Sequence, residues 1–441
     1  MHINNLKIKN AAVKIICLCV VLFTLSSCNG SSLSADDLLR PPKPTGDMNS
    51  VSVALEKSIG KDYTLKYPSM GNYHSAFIFC DLENKNDENY CLAFYSLNEN
   101  SQNIHLSIVK KNNKKWEMAG DVSFDAQSIE KVLFADLTGN DKLDIVVGYS
   151  VYSKVDKKVA VLSFEKNKLR TRLEESYNVF TVCNLINDSK DQLFIANINA
   201  SAEASAHIFS INESGVTELG NISLDKNITS FSEPQVSLLA NDQSAIFLDA
   251  AKSKTEIATE LIYFKDKKLY NPYFNKLTKQ NTLDSRDSSV SVTDINGDGR
   301  LDIPVIGETI ESFNDSSKSF TTDWINFNGS KNVVVQKTYM NILDGYYLNL
   351  TDEILNKLYI TKQTDQRKCK VYFKDEKTGT VNFVFEIKVI ASSEIENKEN
   401  KNYFALSEKD GFSYIAYLTE NGEKTGLDEN SIQNMFSLIS K

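Results

Sequence analysis

A polar turn between two apolar strands recurs five times in this chain, and this recurrence constrains the fold more than any other feature. Apolar runs such as 132–135 (VLFA) precede the second turn, and runs such as 145–148 (IVVG) follow it. A strand–turn–strand pattern that returns at a fixed interval is typical of proteins built from repeated sheets. The five turns, which we number one to five, begin 48 to 57 residues apart at Asp81, Asp136, Asn184, Ser237 and Asp294.

A repeat of this length predicts one four-stranded β-propeller blade per unit. Further strand candidates lie between the turns, for example 159–162 and 260–264, and helical periodicity is scarce. We expect a mainly β chain with a propeller over 48–338. Five turns are visible and 321–340 offers strands for another blade, so we expect six or seven blades. A two-sheet sandwich is the alternative.

The repeat stops near Tyr339, and 339–441 is predicted to be a small α+β domain. A short helix candidate at 352–359 is followed by strands at 369–373, 381–390, 403–406 and 412–418. A final helix is expected from Glu429 with Asp428 as its N-cap, because Ile432, Met435, Phe436 and Ile439 follow a helical spacing.

The fifth turn carries the clearest metal-binding pattern. Its positions 1, 3, 5 and 9 are Asp294, Asn296, Asp298 and Asp302, and the carbonyl of Arg300 is expected to point inward at position 7. Calcium takes six to eight oxygen ligands in flexible geometry. An EF-hand would need an acid at position 12, where this chain has Val305 inside a strand. We therefore predict one structural Ca²⁺ in this turn, with a merely structural Asp/Gly turn as the alternative.

The second turn is a weaker version of the same pattern. It offers Asp136, Thr138, Asn140 and Asp144. Only two carboxylates remain, so a second calcium ion is left open. Turns one, three and four have lost most of their ligands, and we expect hydrogen bonds to hold them.

The N-terminus predicts export and a lipid anchor. Three lysines precede an eleven-residue apolar core at 15–25, which is too short to span a bilayer stably and suits a signal peptide over 1–27. The core ends in Leu25-Ser26-Ser27-Cys28, which resembles the bacterial lipobox. The resemblance implies diacylation of Cys28 and an extracytoplasmic, membrane-anchored protein. An ordinary cleaved signal is the alternative. Residues 28–47, rich in Ser, Pro and Asp, read as a flexible tether, and a short helix is expected to follow it.

Four cysteines remain beyond Cys28: Cys80, Cys91, Cys183 and Cys369. Cys80 and Cys91 flank the first turn and could form a disulfide across it. The spacing of the four does not form a disulfide framework, so we favour free thiols in the core.

Charge and motifs narrow the function. The chain carries a net charge of −9. Cleavage of the leader would remove three lysines, so the exported part carries −12. That excess argues against a nucleic-acid partner. The exported part contains only three histidines and none of the common hydrolase, zinc-protease or nucleotide-binding motifs.

The two acidic turns resemble those of FG-GAP/VCBS-repeat propellers, the integrin α-subunit type, and the whole layout resembles uncharacterised lipoproteins of Gram-positive anaerobes. The resemblance covers roughly 63–339 and implies a calcium-stabilised propeller. Fold does not decide function. We expect a non-catalytic binding or assembly module for a protein or envelope glycan rather than an enzyme; a propeller polysaccharide hydrolase or lyase is the alternative.

Overall fold

The computed structural model describes residues 46–98, 102–151, 156–313, 316–397 and 401–439. The predicted leader, Cys28 and nearly all of the predicted tether lie outside the described residues. Within them the predicted mainly β class is confirmed, as is a small C-terminal part of strands and helices. Among the described residues, no helix is long and apolar enough to cross a membrane.

Helix α1 spans Gly46–Ile59 and confirms the helix expected after the tether. Val51 and Leu55 are fully buried and pack with Tyr95 and Trp116 of the first sheet. The helix ends at Gly60, whose positive φ of 88° suits glycine and whose amide donates to the carbonyl of Glu56. The helix therefore covers the face of the first blade that is turned away from blade two.

Five antiparallel, mostly four-stranded units follow, and we call them blades one to five. In blades one to four an inner strand leads into the repeat turn, and three strands joined by hairpins follow outward; in blade five the inner strand is a single bridge. The long strand β5 pairs with β4 up to Asp125 and with β6 from Ala126, so it serves blades one and two.

The strands of blades one and two are β1 Thr64–Leu65, β2 Phe77–Cys80, β3 Tyr90–Ser96, β4 Asn103–Asn112, β5 Lys115–Ala135, β6 Asp144–Val151, β7 Lys157–Glu165 and β8 Lys168–Tyr177. Blades three and four comprise β9 Val179–Cys183, β10 Gln192–Ile198, β11 Ala204–Asn212, β12 Gly215–Ser223, β13 Ser230–Phe231, β14 Gln235–Leu238, β15 Ser244–Ala251, β16 Glu256–Lys265 and β17 Lys268–Tyr270. Short strands β18 Phe274–Asn275, β19 Gln280–Asn281 and β20 Arg286–Asp287 lie in the connection to blade five.

Blade five and the C-terminal part share one ten-stranded sheet. Its strands are β21 Ile303–Glu311, β22 Lys318–Phe327, β23 Asn332–Asn341, β24 Tyr346–Leu350, β25 Leu358–Gln363, β26 Lys368–Lys374, β27 Val381–Ala391, β28 Phe404–Lys409, β29 Phe412–Leu418 and β30 Phe436–Leu438. The helices of this part are α2 Asp352–Leu355, α3 Glu420–Lys424 and α4 Glu429–Met435. Asp428 caps α4 through the amide of Ser431, as predicted.

The strands at 321–340, which we expected to supply another blade, are β22 and β23 of blade five. The expected domain boundary at 338/339 falls inside β23, and β24 completes that blade up to Leu350. The C-terminal strands join blade five through one parallel pair, Glu311 with Tyr359. Over the described residues, the repeat therefore gives five blades, and strands β25 to β29 continue the sheet of the fifth blade.

Successive sheets pack face to face. One apolar cluster joins blades one and two through residues such as Leu92 and Ile145, and equivalent clusters join each later blade to the next. The last cluster packs blade five against the C-terminal strands and α4. Each sheet is thus stabilised by burial against its neighbours, as in a stack of blades.

A single lysine shows that the inner strands converge. Lys131 lies on the inner part of β5 in blade two and is only 7% exposed. Its Nζ donates to the carbonyl of Phe180 in blade three at 2.9 Å and to Glu233, beside the inner strand of blade four, at 2.6 Å. One side chain can reach two further blades only if their inner strands approach a common axis, as in a propeller.

Candidate calcium site

The backbone of the fifth turn is organised by Asp294. Its carboxylate accepts the amides of Gly297 at 2.8 Å, Asp298 at 3.1 Å and Gly299 at 2.8 Å. Gly297 and Gly299 have positive φ values of 77° and 82°, which glycine adopts without strain. An ionised carboxylate offers about four lone-pair positions, so this wrapping leaves room for a cation on Asp294.

Two further oxygen side chains lie on the same exposed turn. Asn296 Oδ1 accepts the amide of Asp298 at 3.1 Å, and its Nδ2 donates to Asp298 Oδ2 at 3.3 Å. Asp298 Oδ1 accepts the amide of Arg300 at 2.9 Å. The Arg300 guanidinium points away and pairs with Asp242 of the fourth turn at 2.5 Å. Positions 1, 3 and 5 are therefore gathered on the surface.

Asp302 at position 9 points into the blade. It is fully buried, and it accepts the amide of Ile295 and the Nδ2 of Asn326, both at 3.3 Å. Burial raises the pKa of its carboxyl to about 6, and the neighbouring Asp298 and Asp294 add to the rise. In the part of the chain that the structure describes, no three Asp, Glu, His or Cys side chains are close enough to hold a metal. The calcium site stays a prediction.

The second turn has the same backbone design with fewer charges. Asp136 accepts the amides of Gly139, Asn140 and Asp141, the same three offsets that Asp294 uses. Asp144 is buried and accepts the amides of Leu137 at 3.1 Å and Thr138 at 3.0 Å. Burial raises the pKa of Asp144 as it does that of Asp302. The predicted ligands Asp136, Thr138, Asn140 and Asp144 thus lie on one turn, with Thr138 buried rather than exposed.

Hydrogen bonds also hold the turns that lack most of the predicted ligands. Asp81 accepts three amides, including that of Lys85 at 2.5 Å. In the third turn, Gln192 replaces the position-9 acid and accepts the amides of Leu185 and Ile186. The side-chain oxygen at position 9 therefore holds the start of the turn whether or not it is charged.

Neighbouring turns contact each other. The amide of Leu143 in turn two donates to the carbonyl of Leu82 in turn one at 3.0 Å, and that of Asp191 in turn three donates to the carbonyl of Asp136 at 2.9 Å. The amide of Leu301 in turn five donates to Ser237 Oγ in turn four at 3.1 Å. These contacts place turns one to three side by side, and turn five beside turn four. The fifth turn closes the series.

Blade five is open at its inner edge. Its inner strand is reduced to the single bridge between Thr293 and Asp302. Pro304 follows this bridge on β21 and has no amide hydrogen to continue the ladder. A cavity of about 570 Å³ lies beside the turn, lined in part by Thr293, Asp294 and Trp324.

The sequence motifs missed two polar clusters around histidines. His207 lies between Ser205 Oγ, at 3.0 Å from Nε2, and Glu218 Oε1, at 2.7 Å from Nδ1. This is the bonding order of a hydrolytic triad. Ser205 is paired in register on both sides, with Asn197 and Ser223, so its backbone is part of the sheet rather than of an oxyanion hole. A serine two residues before a histidine on one strand was the available signal.

The second cluster links three strands of blade one. Asp121 accepts the hydroxyls of Tyr95 at 2.9 Å and Ser107 at 2.7 Å, and lies 3.0 Å from His105 Nδ1. Tyr95 and His105 stack at 5.2 Å. All four residues occupy paired positions on β3, β4 and β5, so this cluster cross-links strands.

The four cysteines of the described region are free and buried. Cys80 pairs with Tyr90 and Cys91 with Phe79, and the two thiols belong to different apolar clusters. The disulfide left open between them is therefore absent, and the core interpretation is confirmed.

No protein-family model matches the sequence, and no curated protein matches it. Among solved structures, the chain is similar to an exotype rhamnogalacturonan lyase, YesX, with 8% identity, a TM-score of 0.30, and coverage of 81% of this chain and 91% of that chain. It is also similar to a rhamnogalacturonan lyase from Bacillus licheniformis, with 9% identity and a TM-score of 0.31, over 72% of this chain and 88% of that chain. The Dos1 propeller is similar with 10% identity and a TM-score of 0.29, over 79% of this chain and 68% of that chain. At such identities and TM-scores the likeness says nothing about activity or ligand.

Proposed function

We propose that this chain is a membrane-anchored extracytoplasmic lipoprotein whose calcium-stabilised propeller, of the FG-GAP/VCBS type, acts as a non-catalytic binding or assembly module. The observation that supports it is the fifth turn, which carries exposed oxygen side chains on a blade packed face to face with its neighbour. The histidine clusters support the same function, because both cross-link strands within a blade.

The anchor is supported by the lipobox-like sequence ending at Cys28. Two acyl chains hold a protein on a membrane, whereas one gives marginal binding. Replacement by Cys28→Ser should release the protein into the medium or leave the precursor uncleaved. Normal membrane retention of a processed Cys28→Ser protein would contradict lipidation.

The calcium ligands would be Asp294, Asn296 and Asp298, the carbonyl of Arg300, and Asp302 after its side chain turns outward. The donor set fits a hard cation, since all its atoms are oxygens and three are carboxylates. An ion here would fix the turn and neutralise the charge crowding around Asp302. Its part is structural, because the proposed ligands all come from one turn.

Thermal unfolding tests the metal. Millimolar Ca²⁺ should raise the melting temperature above that in EDTA, and Asp298→Ala should remove most of the rise. Asp284→Ala is the matched control, because it deletes an exposed carboxylate of the connection before the turn. An unchanged melting curve of the parent protein with calcium would eliminate the metal.

The partner can be sought with tagged protein in envelope extracts, with and without chelator. A binding module should retain a protein or glycan specifically, and more weakly when EDTA loosens the fifth turn. Release of product from a polysaccharide or ester substrate, lost in Ser205→Ala, would instead establish an enzyme and contradict the proposal.

A further inference from the structure

The outer face of the C-terminal sheet combines aromatic rings with lysines. Cross-strand pairing places Tyr359, Tyr372 and Phe383 in one row over β25, β26 and β27. Residues directly opposite each other on paired strands share a face of the sheet. The opposite face, with Val371 and Phe385, packs into the apolar cluster against blade five. The aromatic row therefore points away from the core.

A second row on the same face carries charge. Lys370 pairs with Glu386, which pairs with Tyr417 on β29, and Lys368 pairs with Lys388 one step further along the strands. We call the aromatic row, together with these charged residues and Tyr417, the lysine–aromatic face. Three lysines and one glutamate occupy these paired positions, whereas the whole chain has a net charge of −9. The face is locally positive on a negative protein.

The rings of this face are held in fixed positions. Tyr372 contacts Phe313 at 4.8 Å and Phe383 at 5.4 Å between ring centroids, and Tyr403 contacts Tyr417 at 5.7 Å. Each of these rings is half-buried, so part of its surface meets solvent. Rings supported at their edges lose little conformational entropy when a ligand stacks on them.

The lysines are ordered by the same rings and by one buried acid. Lys370 Nζ lies 5.6 Å from the centroid of Phe383, and Lys388 Nζ lies 5.9 Å from that of Tyr403. Glu386 has a side chain only 7% exposed; it accepts the Tyr403 hydroxyl, and Lys368 Nζ lies 3.8 Å from it. Ammonium groups are thus held beside ring faces rather than extended into solvent.

We propose that the lysine–aromatic face binds an acidic polysaccharide, with sugar rings stacked on the row of Tyr372 and Phe383 and carboxylates paired with Lys370 and its neighbouring lysines. The proposal rests on the proposed binding function and names its ligand class. The apolar C–H side of a sugar ring packs on an aromatic face, and a ring carboxylate forms charge-assisted hydrogen bonds with an ammonium. Lys370 lies two residues from Tyr372 along β26, about 7 Å, within reach of a carboxylate on a stacked ring.

Two other partner classes fit less well. Single-stranded nucleic acid also stacks on aromatic residues, but it needs a positively charged groove that follows its backbone, whereas the cations described on this face are three separate lysines, one of which pairs with Glu386. The buried centre of a protein interface is depleted in lysine, whereas this face carries three lysines beside its aromatic rings. Charge and ring placement together favour a ligand with one ring and one anion per repeat.

Affinity electrophoresis of the purified full chain in EDTA tests the proposal with three probes: alginate, dextran and oligothymidylate. Alginate should retard the protein, and dextran should retard it at least about tenfold less. Lys370→Gln and Tyr372→Leu should each weaken alginate retention about five- to tenfold. Lys168→Gln and Tyr270→Leu are matched controls on blades two and four, and should change nothing. Near-UV circular dichroism of each variant checks folding.

Equal retention by dextran, tighter binding of oligothymidylate, absence of alginate binding, or equal loss in the control variants would overturn the proposal. If Tyr372→Leu unfolds, Phe383→Leu replaces it. Because EDTA is present throughout, failure of the calcium site leaves this experiment unaffected. Failure here leaves the chelator-dependent partner search unaffected.

Discussion

The convergence of the inner strands predicts a measurable coupling between two residues 102 positions apart. Replacement by Lys131→Met keeps most of the side chain's packing but removes the charge. It deletes the bond to the Phe180 carbonyl, the pair with Glu233, and a cation–π contact at 4.4 Å. Charge-assisted hydrogen bonds contribute about 1.5–3 kcal/mol each before the desolvation of the lysine is offset, so we expect a loss of about 2–3 kcal/mol of unfolding free energy.

The exposure of Glu233 sets how much of this loss of unfolding free energy comes from its ion pair with Lys131. Its side chain is half exposed, so solvent screens the pair. We therefore expect a coupling energy of about 1 kcal/mol between Lys131→Met and Glu233→Gln. The control is Lys158 with Glu174, an equally short pair within blade two whose side chains are both about 40% exposed, where the coupling should stay below about 0.5 kcal/mol.

Urea denaturation of the four proteins in each double-mutant cycle measures these quantities. A Lys131 cycle that is additive within error, together with a Lys131→Met loss below about 1 kcal/mol, would mean that the blades do not meet through this residue. The common axis would then lack its most specific contact.

Three further predictions address packing, thiols and pH. A Cβ on Gly148 would lie 2.5 Å from Phe180 and 2.6 Å from the Tyr177 hydroxyl, so Gly148→Ala should cost about 1–3 kcal/mol in urea denaturation, while Gly220→Ala, whose Cβ would meet nothing closer than 3.6 Å, should be tolerated. Burial raises the pKa of Cys183 to about 12 and raises those of Cys80, Cys91 and Cys369, so a thiol reagent should modify these four only after unfolding; rapid labelling of the native protein would contradict their burial. Burial also raises the pKa of Glu260 above its usual value of 4.5, so the stability that this group contributes is present below pH 4.5 and is lost as pH rises through the raised pKa. Glu260→Gln should flatten the fall in stability above pH 4.5, and an unchanged pH profile would refute this.

The sequence predicted those features that depend on local chemistry. Position 1 of a turn needs an acceptor for successive amides, and Asp136 and Asp294 perform this task in the turns that the repeat located. The fourth position has a positive φ in four of the turns, which explains why Asn or Gly stands there: Asn84, Gly139, Asn187 and Gly297.

Features that depend on contacts distant in sequence were not predictable from it. Lys131 reads as an ordinary strand lysine, because its partners lie 49 and 102 residues away. The sequence predicted that Asp302 faces a cation. Its carboxylate instead lies inside the blade, where it accepts a hydrogen bond from Asn326, 24 residues later. Pro304 carried a usable signal that blade five would lack a full inner strand. The lysine–aromatic face arises from register between strands, which a single sequence does not fix.

Calcium titration by calorimetry addresses the fifth turn most directly. The account predicts one binding event with a dissociation constant of about 10⁻⁴ to 10⁻³ M, abolished by Asp298→Ala and retained in Asp284→Ala. No binding heat in the parent protein, or unchanged binding after Asp298→Ala, would show that the turn holds its shape through Asp294 and its amides alone.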